Sequence, residues 1–302
     1  MERFARVGVV GAGLMGSGIA EVCARAGLEV RVVELNDAVL GHGRSRIEAS
    51  MARAVRKGKL SEKDASASLA RLSFGTGLAE LADRDIVIEA IAEDETSKIE
   101  LFAKLDAVLE RQDAILASNT SSIPVAKLAV ATSRPAYVIG IHFFNPVPVL
   151  PLVELIPTLL TGENTTARAE AFAVEQLGKT AIRCVDRAGF VVNALLIPYL
   201  LSAVRMLESG LATADDIDNG MVLGCAHPMG PLRLADLIGL DTVKAVAESM
   251  YQEFKEPLWS APPLLSRMVD AGLLGVKTSR GFHQYERSST ADPAVQHSGT
   301  QL

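Results

Sequence analysis

Short apolar runs alternate with longer segments of helical periodicity through the first 186 residues of the chain. Continuous apolar runs separated by helices are typical of a parallel sheet that is covered on both faces. We therefore predict an α/β fold with a doubly wound, mostly parallel sheet. The predicted strands are residues 7–10, 29–33, 72–74, 85–91, 114–117, 137–144, 152–156 and 181–185, and the predicted helices are residues 14–26, 94–111 and 165–177.

Residues 37–71 interrupt this alternation with two helical segments that form a predicted helical hairpin. The helical period breaks at residues 57–61, where Ser61, followed by Glu62 and Asp64, has the pattern of a helix N-cap. The first helix is strongly basic, which fits either a solvated helix face or an arm that binds the polyanionic tail of a substrate. Its basic residues are Arg44, Arg46, Arg53, Arg56, Lys57 and Lys59.

The pattern changes beyond residue 186, where helices follow one another without strands. We predict a domain boundary near residues 186–189, between an α/β domain at 1–186 and a smaller all-α domain at 187–285. An apolar helix over residues 190–207 needs partners on several sides, which suggests a homodimer interface as well as a core. Residues 286–302 lack periodicity and are predicted to be a disordered tail.

The composition is that of an ordinary globular protein, with 49% hydrophobic and 22% charged residues among 302. The net charge of −6 gives no case for binding nucleic acid or an anionic membrane surface. Three cysteines, Cys23, Cys184 and Cys225, lie far apart and match no metal or disulfide spacing. Because the first strand begins within ten residues and no apolar stretch is long enough to span a membrane, we expect a cytoplasmic protein without a signal peptide.

The first strand runs directly into three glycines with the spacing G-x-G-x-x-G, Gly11, Gly13 and Gly16. Such a loop allows a tight turn, lets a pyrophosphate approach the backbone, and packs a helix closely against the strand. A second strand follows and ends in Glu34, at the distance where a carboxylate binds the adenosine ribose. Together these features predict a Rossmann-type dinucleotide site.

Polar residues follow several predicted strands at their carboxyl ends, where open α/β sheets bind ligands. Glu93, Asn119 and Ser121 come directly after such strands and are expected at the same edge of the sheet as the glycine loop.

A histidine and a glutamate occupy two consecutive predicted strands. Glu154 stands in a purely apolar segment, where a carboxylate is costly unless it is paired or hydrogen-bonded. His142, twelve residues earlier, is the expected partner. A histidine has the right chemistry for an acid/base group, because it titrates near neutral pH.

Beyond these separate signals, nearly the whole chain resembles the L-3-hydroxyacyl-CoA dehydrogenase family, and within it the short, monofunctional bacterial members that act on 3-hydroxybutyryl-CoA. Several spaced motifs in one order are more specific than any single motif. The resemblance rests on GAGLMG at 11–16, SNTSS at 118–122, HFFNPVPV at 142–149, LVE at 152–154, GFVVN at 189–193, PMGPLRLAD at 228–236 and KTSRGF at 277–282.

The resemblance implies roles for individual residues. His142 would be the catalytic acid/base and Glu154 would orient it, while Ser121 and Asn193 would contact the reacting oxygen. Ser50 and Lys57 would contact CoA, which favours the substrate-arm interpretation of the basic helix. His227 and His283 depart from the family pattern, and we assign neither a catalytic role. The implied cofactor contacts are Gly11, Gly13, Leu14, Met15, Gly16, Glu34, Glu93, Lys98, Asn119, Ser121, Asn145 and Lys277.

The expected function is therefore the interconversion of (S)-3-hydroxyacyl-CoA and 3-oxoacyl-CoA by hydride transfer to and from NAD. We expect NAD(H) over NADP(H), because Glu34 would repel a 2′-phosphate and no Arg or Lys lies between Glu34 and Arg44. Two alternatives remain open at this point. One is an NAD-dependent dehydrogenase of a free hydroxy acid, and the other is a non-catalytic dinucleotide-binding protein.

Overall fold

The computed structural model describes residues 3–286. The chain divides into two compact units, Met1–Val191 and Val192–Leu302. The tail predicted for residues 286–302 lies outside the described residues, apart from Glu286 itself.

The first unit is built on one eight-stranded sheet. Its strands are β1 (Arg6–Val10), β2 (Glu29–Val33), β3 (Leu72–Gly75), β4 (Ile86–Glu89), β5 (Ile115–Ser118), β6 (Val138–Phe143), β7 (Leu152–Pro157) and β8 (Thr180–Arg183). Their order is β3-β2-β1-β4-β5-β6-β7-β8, and every neighbouring pair is parallel except the antiparallel pair β6–β7. The predicted mostly parallel sheet is confirmed. The order reverses between β1 and β4, and such a switch point is where open α/β sheets bind ligands.

Helices cover both faces of this sheet, which explains why its central strands are apolar throughout. Every residue of β4, β5 and β6 is buried. The helices are α1 (Leu14–Arg25), α2 (Asp37–Arg56), α3 (Glu62–Leu69), α4 (Glu95–Val108), α5 (Val125–Ala129) and α6 (Glu163–Ala171). The core on one face includes residues of α1, α2, α3 and α6, whereas the core on the other face includes residues of α4 and α5.

The predicted helical hairpin is formed by α2 and α3. The Ser61 side chain accepts a hydrogen bond from the Asp64 backbone N–H, so the predicted N-cap of α3 is confirmed. One basic residue of α2 has a structural contact, since Arg46 Nη1 donates to the Ala12 carbonyl at 3.0 Å. This bond joins the base of the hairpin to the glycine loop.

Two helical segments differ from the sequence prediction. The helix predicted at 165–177 is α-helical only to Ala171 and continues as a π-helical turn at Phe172–Gln176. The short helix α5 was not predicted, because five residues are too few to show a period. The start of α5 is capped by Asp186, which lies far from it in the sequence. The two carboxylate oxygens of Asp186 accept hydrogen bonds from the backbone N–H groups of Val125 at 2.8 Å and Ala126 at 2.7 Å.

The second unit is helical within its described residues, with one small bridged segment near residues 275–284. Its first helix begins at Val192 rather than at residue 190, because Phe190 has a positive φ of 47° and stands outside the helix. No helix within residues 3–286 is long and apolar enough to cross a membrane. The helices are α7 (Val192–Glu208), α8 (Ala214–Cys225), α9 (Pro231–Ile238), α10 (Leu240–Phe254) and α11 (Pro263–Asp270).

Candidate active site

The glycine loop between β1 and α1 has the geometry of a phosphate cradle. Gly11 has φ +101°, and a Cβ there would lie 2.5 Å from the Ala90 carbonyl oxygen. A Cβ on Gly16 would lie 1.9 Å from the Gly11 oxygen, so close packing of loop and helix requires glycine at both positions. Gly13, the N-cap of α1, has no neighbour within 4 Å of its ideal Cβ and leaves the helix start open. This open helix start fits the pyrophosphate of a dinucleotide.

Side chains beside this loop include Leu14, which is 56% exposed, and Met15, which is half-buried. Glu34 directly follows β2, and its carboxylate accepts backbone N–H groups from Ala12 at 2.8 Å and Leu35 at 2.7 Å. The carboxylate is therefore held against the glycine loop. An acceptor in this position suits ribose hydroxyl groups and disfavours a phosphate.

Glu93 organises the loop after β5. Its Oε1 accepts hydrogen bonds from Thr120 Oγ1 at 2.5 Å and from the Ser121 N–H at 2.9 Å, and both the N–H and the hydroxyl of Ser122 also donate to it. Burial alone would raise the pKa of Glu93, but the Lys98 ammonium and these hydrogen bonds hold the pKa below its usual range. The half-buried Ser121 hydroxyl lies 3.4 Å from the same oxygen.

A buried ion cluster lies behind this loop. Lys98 is 1% exposed, and its ammonium lies 2.7 Å from Glu89 Oε1 and 3.0 Å from Glu93 Oε2. We call these residues the Glu89–Lys98–Glu93 cluster. In the described structure Lys98 is therefore turned towards two carboxylates and does not present its charge at the surface. The sequence analysis assigned no role to Glu89, although a carboxylate within an apolar segment is the same signal that identified Glu154.

Asn119 connects the ends of two strands. Its Oδ1 accepts the Phe143 backbone N–H at 2.9 Å, and its own N–H donates to the Glu89 carbonyl at 2.9 Å. The amide thereby fixes the carboxyl end of β5 against that of β6. Its observed role is to position the loop that carries Ser121.

His142 and Glu154 form a buried pair. They are direct partners in the antiparallel register of β6 and β7, and His142 Nδ1 lies 2.7 Å from Glu154 Oε2. The other carboxylate oxygen accepts the Val191 backbone N–H at 3.0 Å. His142 is 6% exposed and Glu154 is fully buried. The rings of Phe144 and Phe190 lie 4.6 and 5.5 Å from the imidazole, so the pair is surrounded by aromatic side chains.

The segment after β6 is held by a lysine that the sequence analysis missed. Asn145 is exposed there. Lys179 is buried, and its ammonium donates to the carbonyl oxygens of Val147 at 2.6 Å and Leu150 at 2.7 Å. Burial lowers the pKa of Lys179. Because any residue provides a carbonyl oxygen, this contact leaves no signal in the sequence.

The residues expected to bind CoA lie on the first helix of the hairpin. Lys57 is exposed and caps the carboxyl end of α2, whereas Ser50 is half-buried and hydrogen-bonded to Glu21. Burial raises the pKa of Glu21, although Ser50 and Arg25 oppose the rise.

The remaining predicted residues belong to the second unit. Asn193 is half-buried in the first turn of α7. Lys277 is exposed and ion-paired with Asp241 at 2.5 Å. The two atypical histidines form hydrogen bonds within this unit, His227 with the Tyr199 hydroxyl at 3.1 Å and His283 with an Asp218 carboxylate oxygen at 2.7 Å.

Both parts of the chain match family models. Residues 6–187 match the model described as 3-hydroxyacyl-CoA dehydrogenase, NAD binding domain. Residues 189–285 match the model described as 3-hydroxyacyl-CoA dehydrogenase, C-terminal domain. All residues singled out above as candidate site residues lie within these two matches.

Individual relatives agree with the family models. A Mycobacterium tuberculosis protein named 3-hydroxybutyryl-CoA dehydrogenase is 60% identical over 280 residues, which cover 93% of this chain and 98% of the relative. The crystal structure of M. tuberculosis FadB2 is similar with a TM-score of 0.93 and 59% identity, and covers 94% of this chain and all of the other. The structure of (S)-3-hydroxybutyryl-CoA dehydrogenase PaaH1 from Ralstonia eutropha has a TM-score of 0.88 and 46% identity over 94% of this chain and all of the other.

Proposed function

The chain belongs to the 3-hydroxyacyl-CoA dehydrogenase family, and from this premise we propose which of its residues carry out the reaction. It is an NAD-dependent oxidoreductase that interconverts 3-hydroxyacyl-CoA and 3-oxoacyl-CoA. The observation that carries the residue assignment is the buried pair of His142 and Glu154, at 2.7 Å.

The cofactor would be held by the glycine loop and by Glu34, whose geometry fits a pyrophosphate and a ribose. The nicotinamide, when bound, would supply the hydride acceptor for C3 of the substrate in the oxidation and the hydride donor in the reduction. Glu93, Lys98, Asn119 and Asn145 belong to the same proposed site. In the described structure the Lys98 ammonium and the Asn119 Oδ1 contact other protein groups, so these two atoms would support the site rather than touch the cofactor.

His142 is the proposed acid/base. With Nδ1–H donated to Glu154, the Nε2 atom carries the lone pair that takes the hydroxyl proton from the substrate. In the reverse direction the imidazolium returns a proton to the oxygen as the 3-oxo group is reduced. The Glu154 carboxylate fixes the ring and stabilises the imidazolium, while its second oxygen is held by the Val191 N–H.

Ser121 and Asn193 are the proposed hydrogen-bond partners of the reacting oxygen. A hydroxyl and an amide can donate to the oxygen as negative charge develops on it. The loop around Ser121 is already ordered by Glu93, which supports a positioned donor.

The proposed acyl group is the four-carbon 3-hydroxybutyryl group, which is the group in the names of two similar proteins. The CoA portion would be bound by Ser50 and Lys57 on the basic helix. An assay of NADH absorbance at 340 nm with acetoacetyl-CoA tests this proposal, and NADPH serves as the cofactor control. Rapid loss of absorbance with NADH is the expected result. Loss only with NADPH would contradict the role of Glu34.

Two alternative functions give different outcomes. A dehydrogenase of free hydroxy acids would oxidise the free acid and leave acetoacetyl-CoA unreduced. A non-catalytic protein would bind NADH without turnover.

Charge reversal of Arg56 and Lys57 tests the substrate arm, because it should raise KM for the thioester about tenfold and leave KM for NADH unchanged. If the charge-reversed variant and the wild type have the same KM for the thioester, the basic helix does not bind CoA.

We further propose a homodimer formed through the C-terminal unit and a cytoplasmic location. The dimer is supported by exposed apolar side chains on this unit, among them Leu195 at 74% and Leu223 at 82% exposure. Sedimentation as a 32 kDa monomer would contradict the dimer.

The cytoplasmic location is supported by three free cysteines and by the use of NAD(H), and cell fractionation tests it.

A further inference from the structure

The Glu89–Lys98–Glu93 cluster contains more negative than positive charge. Glu89 is fully buried, and its oxygens accept hydrogen bonds from Lys98 Nζ at 2.7 Å and Ser118 Oγ at 2.6 Å. They also accept the Ile91 backbone N–H at 2.8 Å. An ammonium, a backbone N–H and a hydroxyl around one carboxyl group are the hydrogen-bond partners that suit a carboxylate. With Glu93 ionised as well, two carboxylates face one ammonium, and one negative charge is left in excess.

This charge lies next to the dinucleotide loop. Glu89 is the register partner of Val10 in the parallel pair β1–β4, and Val10 directly precedes Gly11. The peptide after Glu89 approaches the loop closely, because an ideal Cβ on Gly11 would lie 2.5 Å from the Ala90 oxygen. The cluster therefore stands at the switch point of the sheet, on the edge where the cofactor binds.

We propose that Glu89 is a positioning residue that acts through Lys98 and Glu93 and electrostatically favours the oxidised cofactor over the reduced one. The inference rests on the proposed function, because it requires a nicotinamide cofactor at this edge. The nicotinamide ring is positively charged in NAD⁺ and neutral in NADH, whereas the pyrophosphate charge is the same in both. An excess negative charge therefore strengthens binding of NAD⁺ relative to NADH. A defect of packing weakens both forms alike.

The size of the effect follows from Coulomb's law. Two unit charges about 10 Å apart, at an effective dielectric constant between about 20 and 40, change a binding constant by about 4- to 15-fold. Glu89→Gln removes the excess charge and keeps the side-chain shape. We expect the ratio of the Kd for NAD⁺ to the Kd for NADH to rise about three- to tenfold in this variant.

The test measures both dissociation constants by titration calorimetry in the absence of acyl-CoA, at fixed ionic strength. Ser118→Ala is the matched control, because it removes a hydrogen bond to Glu89 without changing any charge. The ratio should stay within about twofold of wild type in the control. Equal weakening of both cofactor forms in Glu89→Gln would overturn the proposal. An equal change of ratio in Ser118→Ala would also overturn it, because geometry and not charge would then be responsible.

A second variant covers the case that Glu89→Gln does not fold, as judged by circular dichroism. Glu93→Gln removes one charge from the partly exposed member of the cluster, and the ratio should rise in the same direction. An unchanged ratio there would count against the proposal. If wild-type protein binds both cofactor forms but does not reduce acetoacetyl-CoA, only the proposed function fails. If it reduces the thioester and the variants leave the ratio unchanged, only this inference fails.

Discussion

Two buried carboxylates on separate strands of the sheet, Glu89 on β4 and Glu154 on β7, face different partners. Glu154 and Glu89 each stand in an apolar strand, are fully buried, and accept a hydrogen bond from a backbone N–H. Glu154 faces His142, and histidine is the residue type suited to exchanging a proton near neutral pH, whereas Glu89 faces Lys98, a type of side chain that stays charged there. In our proposals, the first pair exchanges a proton during turnover, whereas the second holds a fixed charge. Under these proposals, the side chain opposite each buried carboxylate determines whether the pair takes part in chemistry or sets the local electrostatic field.

The largest effect is expected at the histidine itself. His142→Gln should lower kcat by about 10² or more, because Gln has no titratable nitrogen to exchange the proton. The Kd for NADH and the circular dichroism spectrum should stay near those of wild type, since neither depends on proton transfer. Steady-state kinetics with acetoacetyl-CoA measures the effect. A kcat within a few-fold of wild type would remove His142 from the acid/base role.

A smaller effect on kcat is expected at Glu154, the carboxylate that orients His142. Glu154→Gln should lower kcat by roughly 10- to 100-fold, because the base remains but its orientation and the stabilisation of its charged form are weakened. The ratio of the Kd values for NAD⁺ and NADH should not change, in contrast to Glu89→Gln. The two variants, measured side by side for kcat and for this ratio, test the division of roles directly. A shift of the ratio in both variants would show that the two carboxylates act alike.

A buried lysine extends the comparison from carboxylates to ammonium groups. Lys179→Met should lower the free energy of unfolding by about 2–4 kcal/mol, because it removes two charge-assisted hydrogen bonds to carbonyl oxygens. Urea denaturation measures the loss. Lys127→Met is the matched control, since Lys127 is exposed and its ion pair with Glu95 should contribute less than about 1 kcal/mol. If both variants lose the same free energy of unfolding, the buried hydrogen bonds of Lys179 add no more stability than an exposed ion pair.

The smallest effect is expected at a third buried carboxylate. Burial raises the pKa of Glu21, so the folded state disfavours its charged form. The contribution of Glu21 to the free energy of unfolding is therefore most favourable in acid. It is lost as pH rises from the pKa of Glu21 in the unfolded chain through its raised pKa in the folded state. Glu21→Gln should raise Tm by about 1–3 °C at pH 7, and this gain should disappear near pH 4, where both side chains are neutral. Thermal melts at the two pH values measure it, and an equal gain at both would assign the effect to packing.

The sequence predicted the first of these pairs and missed the second for a physical reason. His142 and Glu154 lie on consecutive strands, so strand pairing alone can bring them together. Glu89 likewise stands in an apolar segment, so a partner is required there too. However, its partner Lys98 lies on the following helix, and the strand pattern does not indicate which helical residue turns inward.

Local and periodic features were determined by the sequence itself. The order of strands and helices along the chain follows from the hydrophobic period. The glycine loop follows from positions that only glycine can occupy without a clash, such as Gly11 and Gly16. The N-cap at Ser61 is likewise a property of four consecutive residues. The strand and helix periods and the N-cap depend on neighbours in the chain, which the sequence states directly, and the glycine spacing is itself a local motif.

Only the tertiary structure decided which polar groups meet across long distances in the chain. Asp186 caps a helix about sixty residues earlier, Arg46 binds the Ala12 carbonyl, and Lys179 binds two carbonyls of the segment after β6. Backbone groups are the same in every residue, so they carry no sequence signal as partners. A buried charge must still find such a partner, because burial without one is costly. The sequence therefore indicates that a partner is required, and three-dimensional packing decides which one it is.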